Sequence, residues 1–217
     1  MSSREDILGR VRRQLGRTAE NAASGRAAME RHIAARAPGP RGILGNDLVG
    51  RFREKSAALS SSVEDIADLA QVPAAIARYL DSHGLPPQAV CWPRFAALDW
   101  QAAGLRVESR PARGTDLVGI SGCFCALAET GTLMLCSGVD TPAALSLLPE
   151  THIAIVPAAR VVAGMEEAWT LLRRESGELP RAVNFISGPS RTGDIEQTIV
   201  LGAHGPYRVH ILIVASQ

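Results

Sequence analysis

The sequence predicts an α/β fold, a sheet with helices packed on both faces, preceded by a helical arm. From about residue 56 onward, short apolar segments typical of strands alternate with segments typical of helices. Residues 1–55 have helical patterns but too few apolar residues to bury a core of their own. The 217 residues are enough for one sizeable core and marginal for two. We therefore divide the chain into an arm, 1–55, and an α/β domain, 56–217.

The arm begins with a predicted amphipathic helix. Ser2 stands three residues before Glu5, which is the spacing of a capping box. The apolar residues that share one face of this helix are Ile7, Leu8, Val11 and Leu15. The arm either packs on its own domain or contacts a second subunit, and the sequence leaves a homo-oligomer open.

The rest of the arm is less regular. Residues 27–37 are compatible with a helix, whereas the Pro- and Gly-rich residues 38–42 predict a turn or linker. Apolar residues spaced four apart over 44–52 predict a short helix, with Asn46 or Asp47 as its cap.

Within the α/β domain, each predicted element has a pattern of its own. The predicted strands are 57–63, 88–92, 105–109, 116–120, 130–136, 151–156, 181–187 and 207–215. The predicted helices are 73–82, a segment after 92 that runs to Trp100, 161–176 and 194–201. Pro73 marks the start of the predicted helix 73–82, and Gly84 follows its end. Gly177 follows the end of the predicted helix 161–176.

Composition and charge exclude several classes of protein. No apolar run has the length of a membrane span, and the first residues lack the pattern of a secretory signal, so we expect a cytoplasmic protein without a membrane span. The net charge is +1, although residues 1–55 hold 12 basic and 6 acidic residues. Because those basic residues are scattered and aromatic residues make up only 4% of the chain, we expect no nucleic-acid partner.

The cysteines predict neither a metal site nor an iron–sulfur cluster in this chain. The four are Cys91, Cys123, Cys125 and Cys136. No C-x-x-C pair occurs among them, so the spacing of a zinc ribbon or of a cluster-binding run is absent. Buried structural thiols are the expected role.

A first candidate site lies in residues 128–135, where polar residues begin an apolar strand. Glu129 is followed by Thr130, Gly131 and Thr132. Glu129 could act as a general base, as a nucleophile or as the partner of an arginine. Equally, the segment could be a structural bulge at the glycine, with its hydroxyls bonded to the backbone.

A second candidate site lies in residues 184–197, which run from a predicted strand through a Gly- and Ser-rich loop into a predicted helix. Such a loop directs N–H groups, hydroxyls and a helix dipole at an anion, and it lies where ligands bind in α/β sheets, at the carboxyl end of a strand. Arg191 adds a bidentate donor for a carboxylate or phosphate. The ligand-binding candidates in the loop are Gly188, Ser190, Arg191, Thr192 and Asp194.

A structural alternative exists for the same loop. Asp194 and Gln197 have the spacing of a capping pair, and Arg191 could pair internally with Glu129 or Asp194. His204 and Gly205 follow in a tight Gly-Pro loop, where the histidine is either an acid–base group or a plain hydrogen-bonding residue. Two further histidines, His152 and His210, lie within apolar strand runs and are predicted to be core or face residues.

Four segments together resemble one known family, the LUD domain family, and within it the lactate utilization protein C subfamily. They are Glu-Thr-Gly-Thr-Leu at 129–133, Ser-Leu-Leu-Pro-Glu-Thr-His-Ile-Ala-Ile-Val at 146–156, Ser-Gly-Pro-Ser-Arg-Thr-Gly-Asp-Ile-Glu at 187–196 and Gly-Ala-His-Gly-Pro at 202–206. They span about residues 116–214 in the family's order. One departure is residues 140–145, which lack the arginine that many relatives have there.

The resemblance implies a mainly parallel sheet sandwiched by helices, like that of phosphosugar isomerases and CoA transferases. It also implies a role in the oxidation of L-lactate to pyruvate, together with two partner proteins that carry iron–sulfur clusters. This chain would be a cluster-free subunit or accessory that binds no cofactor itself.

Our functional hypothesis joins the two candidate sites in one cleft for a small carboxylate or a phosphate-bearing ligand. Arg191 would clamp the anion, and Glu129 or His204 would handle a proton. The ligand-binding set is Thr130, Gly131, Thr132, Gly188, Ser190, Arg191, Thr192, Asp194 and Gly205. Two alternatives stay open: a non-catalytic protein that docks on the cluster-bearing partners, and a CoA-transferase-like enzyme with Glu129 as nucleophile.

Overall fold

The chain divides into two units in a computed structural model, Met1–Gly42 and Ile43–Gln217. The structure describes residues 3–37, 39, 42, 45–195 and 198–216. In that part of the chain, no helix combines the length and the apolar character needed to cross a bilayer.

The first unit contains two helices, α1 (Ser3–Gln14) and α2 (Ala19–Ala35). Thr18 caps α2, because its hydroxyl accepts a hydrogen bond from the Asn21 N–H at 3.3 Å and the Asn21 amide oxygen accepts one from the Thr18 N–H at 2.9 Å. No residue of α1 is buried, so its apolar face is exposed to solvent. The predicted cap Ser2 and much of the predicted linker 38–42 lie outside the described residues.

The second unit holds the remaining elements. Its helices are α3 (Leu48–Ala58), α4 (Val72–Ser82), α5 (Ala144–Leu147) and α6 (Met165–Ser176). Its strands are β1 (Ser62–Asp68), β2 (Gln88–Cys91), β3 (Arg106–Ser109), β4 (Val118–Gly122), β5 (Cys125–Leu127), β6 (Thr132–Cys136), β7 (Thr151–Pro157), β8 (Val161–Val162), β9 (Val183–Ile186), β10 (Arg191–Ile195), β11 (Thr198–Leu201) and β12 (Arg208–Ser216).

A six-stranded sheet forms the centre of this unit, in the order β1-β12-β7-β4-β2-β3. Every neighbouring pair in it is parallel. All seven residues of β7 are buried, as expected for a central strand covered on both faces. The predicted α/β fold, a mainly parallel sheet flanked by helices, is confirmed.

A second, four-stranded sheet has the order β8-β5-β6-β9 and is mixed. One face of it packs against α6 through a small core of its own. The buried members of that core are Cys125, Leu127, Met134, Ala168 and Leu172. The sequence analysis missed β5 because three residues are too few to show a period.

Helix α3 belongs to the second unit, and the predicted arm boundary after residue 55 falls inside it. The predicted cap Asp47 is confirmed, because its carboxylate accepts a hydrogen bond from the Gly50 N–H at 2.8 Å. Phe52 and Ser56 are the buried residues of this helix. The predicted strand 57–63 therefore starts too early, since α3 runs to Ala58 and β1 begins at Ser62.

Three helix predictions are wrong in whole or in part. The described residues of 194–201 are not helical: 194–195 belong to β10 and 198–201 to β11, which pair antiparallel. The β-branched sequence Thr-Ile-Val at 198–200 favours a strand over a helix. The segment before Trp100 has only a short 3₁₀ turn at Pro93–Phe95, and α6 starts at Met165 after a two-residue strand.

Candidate functional site

The two candidate segments meet through a cluster of hydroxyl groups made of Thr130, Thr132 and Ser187. The Thr130 hydroxyl donates to the Thr132 hydroxyl at 2.7 Å, and the Thr132 and Ser187 hydroxyls share a hydrogen bond of 2.7 Å. Thr132 is 4% exposed, whereas Thr130 and Ser187 reach solvent. The structure thus joins the first segment, at Thr130 and Thr132, to the second segment through Ser187.

Two glycines bring both segments against the end of α3. Gly131 has φ +66°, and a Cβ there would lie 2.5 Å from the Ser56 nitrogen. Gly188 has φ +78°, and a Cβ there would lie 2.3 Å from the Leu59 carbonyl oxygen. Both the left-handed conformation and the lack of space require glycine. The Ser56 hydroxyl also donates to the Gly131 carbonyl oxygen at 3.3 Å, which fixes the first contact.

Arg191 is exposed and is held at the same end of α3 by neutral oxygens. Its guanidinium donates to the Ser60 hydroxyl at 2.6 Å and to the Leu59 carbonyl oxygen at 3.4 Å. No carboxylate among the described side chains forms an ion pair with it, so the alternative of an internal pair with Glu129 is wrong. Asp194 belongs to β10, and its side chain lies outside the described part of the chain.

Glu129 is half-buried and lies at the start of α6. Its N–H donates to the Ala163 carbonyl oxygen at 2.9 Å, and its Oε2 is 2.7 Å from the position that a Cβ on Gly164 would occupy. Gly164 is the N-cap of α6 and donates its N–H to Glu167 Oε2 at 3.0 Å. A carboxylate in this place stabilises the positive end of the helix dipole, so Glu129 has a structural role whatever else it does.

His204 lies in an exposed loop beside the second segment. Its Nδ1 is 3.0 Å from the Thr192 hydroxyl, within hydrogen-bond distance. Ser190 donates its N–H to the Pro206 carbonyl oxygen at 2.8 Å, and a Cβ on Gly205 would lie 3.3 Å from the Ser190 Cβ. Ser190, Thr192, His204 and Gly205 are thus brought together as predicted.

All these contacts lie at the amino-terminal end of the parallel sheet. Ser60 precedes β1, and the Tyr207 N–H donates to the Glu150 carbonyl oxygen at 3.0 Å, immediately before β12 and β7 begin. The predicted position of the loop 187–194, at the carboxyl end of a parallel strand and the start of a helix, is wrong on both points. The strand before the loop is β9, which pairs antiparallel with β6, and a hairpin follows the loop. Of the features from which anion binding was predicted, the helix dipole is therefore lost, and Arg191 and the N–H groups of the loop are left.

The structure adds residues that the sequence analysis did not single out. Ser60 holds the Arg191 guanidinium and has φ +69°, which is uncommon for a residue with a side chain. The serine run 60–62 before a strand is the sequence signal for this polar turn. Ser187 was quoted only as part of a motif, and its bond to Thr132 depends on the pairing of β6 with β9.

His152 and His210 are confirmed as core residues and take no part in this site. His152 is fully buried and His210 is 4% exposed. Burial lowers the pKa of each to about 4, with the charge of His83 as a smaller cause for His210. Across the described residues, no group of three or more His, Cys, Asp or Glu side chains could hold a metal ion.

Curated relatives match about half of this chain. A protein named lactate utilization protein C 1 from Bacillus mycoides is 40% identical over 121 residues, which is 54% of this chain and 51% of that protein. A lactate utilization protein C from Bacillus subtilis is 34% identical over 130 residues, 58% of this chain and 54% of that protein. The chain thus spans about half the length of the curated relatives it matches.

A solved structure supports the fold. It is described as a DUF162 family protein from Deinococcus radiodurans, and it superposes with a TM-score of 0.60 over 80% of this chain and 99% of its own, at 24% identity. The LUD domain model matches residues 52–214, which include both glycine contacts with α3, the hydroxyl cluster and Arg191. The chain belongs to the LUD domain family.

Proposed function

We propose that this chain takes part in lactate utilization as the cluster-free subunit or accessory of an iron–sulfur-dependent system that oxidises L-lactate to pyruvate. Within that system the Arg191 loop binds a small carboxylate or a phosphate-bearing ligand. Two iron–sulfur proteins are its partners, and they supply the electron transfer for which this chain has no cofactor motif.

One observation carries the site: an exposed arginine that is oriented and forms no ion pair with any carboxylate among the described side chains. Arg191 is held by a hydroxyl and a carbonyl oxygen, which orient its guanidinium without cancelling its charge. Thr192 and His204 lie beside it, and their mutual hydrogen bond keeps a possible proton carrier next to the anion position. A carboxylate bound by one arginine plus N–H and O–H donors is a recurrent mode of recognition.

The names of the relatives support a role in lactate utilization. The matched proteins from Bacillus mycoides and Bacillus subtilis are both named for lactate utilization. The matched region of the family model contains all four of the segments on which the resemblance rests.

The test is growth on L-lactate in a strain that depends on this chain for it. Arg191→Ala should abolish growth while the protein stays at its normal level, because the substituted side chain is exposed and its two bonds contribute only about 1 kcal/mol each to stability. Arg173→Ala, an exposed arginine on α6, is the matched control and should grow normally. Growth of the Arg191→Ala strain would contradict the anion role, and a gene deletion that still grows on L-lactate would contradict the process.

A second function is favoured by the exposed face of α1, namely a non-catalytic protein that docks on its partners. The face consists of Ile7, Leu8, Val11 and Leu15, which are 60%, 37%, 47% and 63% exposed. Apolar side chains in such a stripe are typical of a surface that another protein covers.

Substituting charged residues on the apolar face of α1 distinguishes the docking function from the anion-binding function. In the full chain, Ile7→Asp with Val11→Asp should abolish co-purification of the cluster-bearing partners if α1 is the docking surface. Arg10→Asp, on the same helix but outside the apolar face, is the control. Undiminished co-purification of the double variant would exclude docking through α1.

A further inference from the structure

A cavity of about 600 Å³ opens at the opposite end of the parallel sheet from the Arg191 loop. Its walls include Trp92, which follows β2, Cys123, which follows β4, and Pro157, which ends β7. In sheets of this type, ligands bind at the carboxyl ends of the strands. The cavity therefore occupies the position that the fold itself favours, and its volume is in the range of small-molecule sites.

Two arginines give the cavity its charge, and only one of them is neutralised. Arg160 donates to both carboxylate oxygens of Glu175, at 2.9 and 3.0 Å, and to the Phe124 carbonyl oxygen at 2.8 Å. Arg94 forms no ion pair with any carboxylate in the described part of the chain. Glu178 also lines the cavity, but it is exposed and unpaired with Arg94.

The position of Arg94 is set by the backbone beneath it. A Cβ on Gly122 would lie 2.9 Å from the Arg94 Cζ, so the guanidinium rests on the glycine that ends β4. Its Cζ also lies 4.5 Å from the centre of the Phe95 ring. Burial and the nearby charge of Arg160 both lower the pKa of Arg94, although an arginine remains cationic at neutral pH. Arg94 is thus a positioned cation that no carboxylate of the described residues pairs with.

The other polar groups that line the cavity are suited to recognition by hydrogen bonds, and the cysteine among them is not a thiolate. Burial raises the pKa of Cys123 to about 12, so this thiol stays protonated at neutral pH. Trp92 is 2% exposed, and its indole N–H has no acceptor within the described residues. Trp92, Phe124 and Pro157 supply apolar surface.

We propose that this cavity is a second binding site, for a small organic oxyanion: a carboxylate or phosphate group carried on a compact apolar body. Arg94 binds the oxyanion, Arg160 stays paired with Glu175 in the cavity wall, and the aromatic lining takes the body of the ligand. The site is independent of the loop at Arg191, because the two lie at opposite ends of the same strands.

The test is calorimetric titration of the full chain with probes that share one aromatic body. Phenylpyruvate presents a carboxylate, phenyl phosphate presents a phosphate, and benzyl alcohol is the neutral counterpart. At least one of the two anions should bind, and the stronger one identifies the preferred oxyanion. Arg94→Gln should weaken that binding at least about tenfold, as expected for the loss of a charge-assisted bidentate contact.

Two further variants keep the result interpretable. Gly122→Ala displaces the guanidinium but keeps its charge. The three atoms nearest to the new Cβ all belong to the Arg94 guanidinium at the far end of a long side chain, so the fold should survive while binding weakens. The exposed control Arg173→Gln should bind the probe like the unsubstituted chain. No saturable heat with either anion at about 10 mM, equal binding of benzyl alcohol, or full binding by Arg94→Gln would each overturn the proposal.

Discussion

At the scale of single residues, the sheet holds two histidines in their neutral form. His152 Nε2 is 2.7 Å from the Ser121 hydroxyl, and its Nδ1 has no partner among the described groups. His210 Nδ1 is 2.9 Å from the Ser62 hydroxyl, and its ring stacks on Tyr79 at 4.0 Å. His152 forms no ion pair with a described carboxylate, so its protonation would place an unpaired charge in the core. His210 Nε2 lies 4.0 Å from a carboxylate oxygen of Glu64, but burial outweighs this contact and keeps the pKa of the ring low.

The free energy of unfolding should therefore fall as the pH falls from about 6.5 to about 4. In this window the unfolded chain binds protons at both histidines and the folded chain does not, so acid favours unfolding. Each pKa lowered from 6.5 to about 4 corresponds to about 3 kcal/mol across the window. Urea denaturation at a series of pH values measures this slope.

A His152→Leu variant should lose about half of that slope, whatever its absolute stability, because the buried base has been removed. Equal slopes in the variant and the unsubstituted chain would show that His152 titrates normally. Asp116 and Glu175 do not obscure the result. Their pKa values are lowered chiefly by hydrogen bonds from Arg110 and Arg160, so their contribution is lost only below about pH 4.

The burial of these histidines could be predicted because each sits in an apolar strand run. The hydrogen bond between Arg191 and Ser60 could not be predicted. Ser60 lies 131 residues away in sequence, and nothing in the local pattern of either residue indicates the other. The same holds for the hydrogen bond between Thr132 and Ser187, which are 55 residues apart.

At the scale of elements, the contact between the loop 187–190 and the end of α3 depends on one backbone conformation. Gly188 is left-handed and faces the Leu59 carbonyl oxygen at a distance that no Cβ can occupy. Gly177, after α6, is also left-handed, with φ +66°, but no atom lies within 4 Å of its Cβ position. Comparing substitutions at these two glycines therefore distinguishes the cost of backbone strain from the cost of a lost contact.

Gly188→Ala should lower the free energy of unfolding by about 3 kcal/mol or more, and Gly177→Ala by only about 1 kcal/mol. The first substitution adds a clash with backbone to the strain of the left-handed conformation, whereas the second adds strain alone. Urea denaturation of both variants measures the difference. Equal losses would mean that the loop does not press against α3.

The hairpin β10–β11 shows where reasoning from local patterns fails. Asp194 and Gln197 have the spacing of a helix cap, which favoured a helix over 194–201. The pairing of Arg191 with Leu201 and of Thr192 with Val200 stabilises extended backbone instead. The conformation of a short segment that has both helix and strand signals depends on which strand is available to pair with it. The local sequence does not contain this information.

At the scale of the whole second unit, the alternation of strands and helices predicted the fold class but not the order of the strands. The last strand, β12, lies between β1 and β7, and β4 separates β7 from β2. That order decides which loops share an end of the sheet. It places the Arg191 loop and the Arg94 cavity at opposite ends, a separation that the linear sequence does not contain.

The substitutions Arg94→Gln and Arg191→Gln should therefore act independently on stability. The central strand β7 between them is seven residues long, or roughly 20 Å, beyond the distance at which substitutions usually couple. The change in free energy of unfolding of the double variant should equal the sum of the single changes within about 0.5 kcal/mol. A larger deviation in urea denaturation would reveal coupling through the sheet.

The neighbour of β1 in the sheet also has a consequence for biosynthesis. Ser62 in β1 pairs with His210 in β12, 148 residues later. At a translation rate of about 5–20 residues per second, β1 waits roughly 10–30 seconds on the ribosome before its partner exists. Throughout that interval β1 has an open hydrogen-bonding edge, and the apolar strand β7 also lacks its neighbour β12 once it is made. The nascent chain is therefore most exposed to aggregation, and most in need of a chaperone, just before β12 emerges.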